Sequence, residues 1–167
     1  MAASRRGPLD AEMLAETILA GCLDPEDGRL GTVLRDSLRA GAGIAREAIG
    51  RPDVRMALAL RVSTTDEECH GHTAMLLRAL RQVDAASAAA IVQECHVAAL
   101  ARSLSYACEY TAHQASLLGR LYACDPAVGR QVFRRCGGLF REFMARSAFA
   151  YLDLPEELMS DVKRYEK

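Results

Sequence analysis

The chain has 167 residues, half of them apolar and about a quarter charged, with 21 basic against 22 acidic side chains and a net charge of −1. That length suits one domain with a substantial core, and the balanced charge gives no electrostatic reason to expect a nucleic-acid or anionic-membrane partner. The opening Met-Ala-Ala-Ser-Arg-Arg-Gly-Pro is too short and polar for a signal peptide, no apolar tail closes the chain, and the six cysteines have no paired spacing, so a reduced, cytoplasmic setting without a membrane anchor is expected.

Strand alternation is nearly absent and helix punctuation recurs, which predicts an all-α fold. Asp10 is placed to cap a first helix with Met13, Leu14, Thr17 and Ile18 on one side, ending near Gly21. A second helix is expected from about Leu30 to Ile49, its stripe formed by Leu30, Leu34, Leu38, Ala42 and Ala45, and stopped by Gly50-Arg51-Pro52. A short helix then carries Val54, Met56, Leu58 and Leu60. Thr64 and Thr65 stand three residues before Glu67 and Glu68, the spacing of a capping box for a helix with Met75, Leu76, Leu77 and Leu80.

From Asp84 the sequence is small or apolar almost all round, which predicts a central buried helix over roughly 85 to 103. Tyr106, Tyr110, Leu117, Leu118, Leu121 and Tyr122 belong to the next helix, and Asp125-Pro126 opens another. In Gln131 to Met144 two adjacent glycines, Gly137 and Gly138, interrupt an amphipathic pattern. Each costs about 1 kcal/mol in a helix interior, so they mark a corner, flanked by Val132 and Phe133 before it and Leu139, Phe140 and Phe143 after it. A last helix begins at Pro155. The expected architecture is one domain, 1–167, in which a central apolar helix is surrounded by six to seven amphipathic ones.

The run Val132-Phe133-Arg134-Arg135-Cys136-Gly137-Gly138-Leu139 resembles the BH2 motif of the Bcl-2 family, in which a hydrophobic residue and a short polar run precede Gly-Gly-Trp. Counting back without a gap places the family's BH1 motif, Asn-Trp-Gly-Arg, on Ser87-Ala88-Ala89-Ala90, with Ile91-Val92 following. Leu34, Leu38 and Ala42 resemble a degenerate BH3 segment with Gly43 where the aspartate belongs. The resemblance covers about residues 10 to 148 and is closest to divergent viral members.

It implies a Bcl-2-like bundle with a groove that takes the amphipathic BH3 helix of a pro-apoptotic protein, and an anti-apoptotic role. The implied groove residues are Leu38, Ala42, Met56, Leu60, Met75, Leu76, Leu80, Arg81, Ala90, Ile91 and Val97, beside the BH2-like Phe133, Gly137, Gly138 and Leu139. Ala90 replaces the arginine that pairs with the BH3 aspartate, a contact worth about 1.5 to 3 kcal/mol, leaving Arg81 or Arg78 to meet that charge. Peripheral placement at the mitochondrial outer membrane and a homodimer through a groove face are compatible with the resemblance. So is modulation of innate immune signalling without BH3 binding.

The rival constellation is Cys69-His70-Gly71-His72 with Cys95-His96 and Glu109/His113, which would suit a helical metal carrier. It lacks Cys-x-x-Cys, a repeated Glu-x-x-His and His-Glu-x-x-His, so no metal, cofactor or catalytic residue is assigned. Arg134, Arg135, Arg141 and Arg146 are read as a solvated face.

Overall fold

The computed structural model describes residues 10–24, 28–106, 111–147, 149 and 152–165, and among them it is all α-helical, without strands. The helices are α1 (Ala11–Cys22), α2 (Leu30–Ala40), α3 (Ala42–Gly50), α4 (Pro52–Ser63), α5 (His70–Val83), α6 (Ala85–Gln93), α7 (Val97–Ser105), α8 (Ala112–Cys124), α9 (Pro126–Arg135), α10 (Gly138–Arg146) and α11 (Glu156–Tyr165). None is long and apolar enough to cross a membrane.

Asp10 caps α1, its Oδ1 accepting from Met13 N at 2.8 Å, but the face turned inward is Leu14, Ala15 and Ile18, with Met13 and Thr17 outside. The single helix expected over 30–49 is two helices. Gly41 ends α2, its N–H bonding Ser37 O at 2.9 Å, and precedes α3. The chain turns there because Gly41 and Gly43 lower helix propensity together, and the turn lets α3 bury Ala45, Ala48 and Ile49 independently of Leu30 and Leu34 on α2. The BH3-like segment, Leu34 to Gly43, therefore crosses a break rather than lying on one helix.

The threonine capping box is also corrected. Thr64 closes α4, its hydroxyl donating to Leu60 O at 3.0 Å, and Thr65 pairs with the Thr73 hydroxyl at 2.9 Å inside the protein. The turn before α5 is instead held by Asp66, whose Oδ1 accepts from Cys69 N at 3.0 Å, and α5 starts only at His70.

The central helix is not the alanine-rich one. The 85–103 stretch breaks at Glu94–His96 into α6 and α7, and α6 turns only Ala88, Ile91 and Val92 fully inward. The interior position belongs to α5, eight of whose fourteen residues are buried, among them Leu76, Leu77, Leu80 and Val83. It packs on α2, α3, α6 and α8. Large side chains account for this: alanine faces offer little area, whereas each fully buried leucine contributes roughly 1.5 to 3 kcal/mol.

The C-terminal half follows its punctuation. Thr111 and Gln114 form a reciprocal capping box on α8, which leaves Tyr106 outside that helix; Tyr110 lies outside the described residues. Asp125 Oδ1 accepts from Ala127 N and Val128 N at 2.9 and 3.0 Å to start α9. Gly129 allows α9 to lie against α8, since a Cβ there would fall 2.5 Å from Tyr122 Cδ2. The glycine pair is a corner between α9 and α10, as expected, with Phe133 and Phe140 buried on its two sides. α11 is anchored beneath by Asp161, 8% exposed, whose Oδ2 accepts from Tyr122 OH at 2.9 Å and Arg130 Nε at 2.8 Å.

Candidate functional site

A concavity of about 700 Å³ lies between α4 and the α6–α7 break, lined by Pro52, Arg55, Met56, Ala59, Leu60, Ser63, Glu94 and His96. On α4, helical geometry puts Met56 and Leu60 one turn apart on the side opposite the buried Val54, Leu58 and Val62. Both are large and apolar, and they are 69% and 64% exposed. Scattered exposed apolar residues are ordinary on a protein surface; two on adjacent turns lining one concave wall are the form an interaction site takes.

The opposite wall exists because the expected long helix breaks. Glu94 N–H closes α6 on the Ala90 and Ile91 carbonyls, at 3.3 and 3.2 Å, and His96 Nδ1 caps α7 by accepting from Ala99 N at 3.2 Å. The His96 N–H leaves the helical ladder and donates to Ser63 Oγ at 2.8 Å, while the Ser63 hydroxyl donates to Ala59 O at 2.7 Å. Cys95 Sγ donates weakly to Ala59 O and Ile91 O, at 3.5 and 3.4 Å. The groove floor is thus stitched to α4 by a buried serine. Across the rim Arg55 Nη2 meets Glu94 Oε1 at 2.6 Å, with both side chains more than a third exposed. A second concavity of about 520 Å³ continues past Ser63 towards Thr65, Arg102 and Tyr106, the last of these 78% exposed.

The residues implied by the Bcl-2 resemblance do not form one surface. Met56 and Leu60 line the groove; Leu76, Leu80 and Ile91 are buried in the core at 2% exposure or less. Leu38 is half-buried on α2, Ala42 is exposed at the start of α3, and Ala90 and Val97 are half-buried on α6 and α7. Met75, 46% exposed, and Arg81 line clefts on the far side of α5, towards α8. At the corner Phe133 is buried, Gly137 and Gly138 are exposed, and Leu139 is 72% exposed.

Arg55, Ser63, Glu94 and His96 line the groove; no sequence pattern singled out the first three, and His96 was noted only beside Cys95 as a possible metal ligand. Ser63 and His96 are separated by 33 residues, and neither is a breaker. A signal for the cap itself was His96 three residues before Ala99, a polar residue at N-cap spacing.

The cysteine and histidine cluster diverges. His70 is buried, its Nε2 bonding Ser103 Oγ at 2.7 Å, and burial pushes its pKa down from 6.5 to about 4. His72 instead faces Gly28, against which a Cβ would touch the ring, because successive helical side chains point about 100° apart. Glu109 lies outside the described residues, and among those described no three His, Cys, Asp or Glu side chains converge as metal ligands. Burial pushes the Cys95 and Cys136 thiols up to about 12 and those of Cys22 and Cys124 to about 11, so all four stay protonated at neutral pH.

Compared with protein-family models, curated proteins and solved structures, the chain matches none.

Proposed function

We propose that the protein is a non-enzymatic binding module that takes an amphipathic helix of a partner into the α4 groove. The observation that carries this is the exposure of Met56 and Leu60 on adjacent turns of one concave wall. An incoming helix would set apolar side chains of its own i, i+4 spacing against them. Each large apolar side chain removed from water adds roughly 1.5 to 3 kcal/mol, and the flexible thioether of Met56 adapts the wall to different shapes.

The BH2-like run at Val132–Leu139 gives the partner a class, a BH3 helix of a pro-apoptotic protein, and the role would then be sequestration that restrains apoptosis. This Bcl-2-type reading uses a different charge from the family's arginine, whose place Ala90 takes. Arg55 sits on the rim, paired with the half-exposed Glu94, and a BH3 aspartate would compete with that glutamate for the guanidinium. Such an exchange returns little net energy, so affinity rests on the apolar contacts and the binding is selective.

Calorimetric titration of BH3 peptides into wild type and Leu60→Glu tests the assignment. The wild type is expected to bind at least one peptide, and the variant to lose about tenfold or more in affinity, equal to about 1.4 kcal/mol, with an unchanged Tm because Leu60 is outside the core. No heat with any peptide removes the BH3 role; equal binding to the variant removes the groove.

A further inference from the structure

A second surface, which shares no lining residue with the α4 groove, runs between α5 and α8. Two concavities of about 380 and 350 Å³ lie end to end along it, and Arg78 and Arg120 line both. Arg81 lines the second, while His72, His113 and the half-exposed Met75 line the first. α8 comes close enough at this end that a Cβ on Gly71 would stand 3.3 Å from the His113 ring.

Met75, Arg78 and Arg81 follow one another at i+3 spacing, so they form a single stripe along α5. From His72 to Gln82 the stripe is about 15 Å long, close to three helical turns. Among the described residues no ion pair or side-chain hydrogen bond occupies Arg78, Arg81 or Arg120, in contrast to Arg46, Arg51, Arg55 and Arg130, which all have partners. The acidic lining is one side chain in each cavity, Glu68 and Asp153. Three guanidinium groups without a partner among the described residues thus concentrate in a cleft of a chain whose overall charge is −1.

We infer that the α5–α8 cleft binds an acidic helical segment of a partner protein, which sets an apolar side chain on Met75 and carboxylates on Arg78, Arg81 and Arg120. Guanidinium groups match carboxylates in a bidentate geometry, and the length and register of the stripe fit a helix that presents an apolar residue followed by acidic ones a turn and two turns on. A small anion would engage one end and leave the rest unused.

The test uses a fluorescein-labelled synthetic helix with one leucine and glutamates at the following i+3 and i+6 positions, and a second peptide with glutamine in place of the glutamates. By fluorescence anisotropy the wild type should bind the glutamate peptide about tenfold or more tightly than the glutamine peptide, and less tightly as salt is raised. Arg78→Gln combined with Arg120→Gln should lower that affinity about tenfold, and Leu60→Glu should leave it unchanged, which separates this surface from the α4 groove. Both arginines lie outside the core, and a melting curve of each variant checks the fold. Equal binding of the two peptides, or of wild type and the arginine variant, overturns the inference. Tighter, arginine-dependent binding of a single-stranded oligonucleotide or of phosphatidylserine vesicles overturns it in favour of that class.

Discussion

Two interruptions of an apolar helical run, apart from the one at Gly41, stop their helices in the same way but differ in what the local sequence supplies. At the corner between α9 and α10, Cys136 N–H closes on the Val132 and Phe133 carbonyls at 3.1 and 3.2 Å; between α6 and α7, Glu94 N–H closes on those of Ala90 and Ile91 at 3.3 and 3.2 Å. The first interruption is written locally, by two glycines that make a continuous helix costly, and the freed Gly137 N–H also donates to Ser105 Oγ on α7 at 2.7 Å. The second has no glycine or proline. It is held from outside, by Ser63 accepting the His96 N–H and, further along α7, by the 2.7 Å bond between Ser103 and the buried His70. A helix break imposed by distant polar groups builds a groove wall, because the elements that impose it must lie beside it. At the glycine corner the distant serine adds to a break that poor helix propensity already favours.

Acid should act on the second interruption more than on the first. His70 has a folded pKa of about 4, below its unfolded value of 6.5, so the unfolded chain takes up a proton that the folded one refuses as pH falls through 6.5. The contribution is absent above that value and grows to a loss of about 3 kcal/mol by pH 4. Urea unfolding across this range should show the loss in wild type and a shallower pH dependence in His70→Gln, and parallel slopes would contradict a neutral buried His70. Ser63→Ala is the next largest effect. It removes the acceptor of the His96 N–H and should cost about 2 kcal/mol, with faster hydrogen exchange at His96 and Val97 and no change at Cys136. Unchanged exchange at His96 would mean that the break is local after all.

The smallest effect is the most diagnostic of the corner. Gly137 has φ −59° and ψ 153°, open to any residue, and an added Cβ would make an ordinary 3.5 Å contact with Ser105. Gly137→Ala should therefore be neutral or stabilising by up to about 1 kcal/mol in thermal unfolding, since it restricts mainly the unfolded chain. A clear loss of Tm would show that the glycine is needed for its shape rather than for its poor helix propensity.

Legibility followed the origin of each feature. Asp10 and Asp125 were read correctly as caps because the carboxylate, the backbone N–H groups it serves and the proline after Asp125 lie within a few residues. Thr64 and Thr65 were misread as the start of α5 for the complementary reason: their spacing to Glu67 and Glu68 satisfies the local rule, but Thr65 finds Thr73 across the turn and Asp66 performs the capping. Of the residues expected on a groove wall, Met56 and Leu60 line the α4 concavity, whereas Leu76, Leu80 and Ile91 have the same periodicity and lie in the core, because a helical stripe does not state which of its turns another helix covers.

The amino-acid sequence by itself determined the all-helical class, the caps at Asp10 and Asp125 and the corner at Gly137-Gly138, since helix propensity and capping act over three or four residues. Only the tertiary structure decided that α5 and not the alanine-rich run occupies the interior, that 85–103 breaks at Glu94–His96, and that Met56 and Leu60 face a groove. Each of those outcomes depends on which large side chains and which buried polar groups meet across the fold, as Ser63 and His96 do over 33 residues.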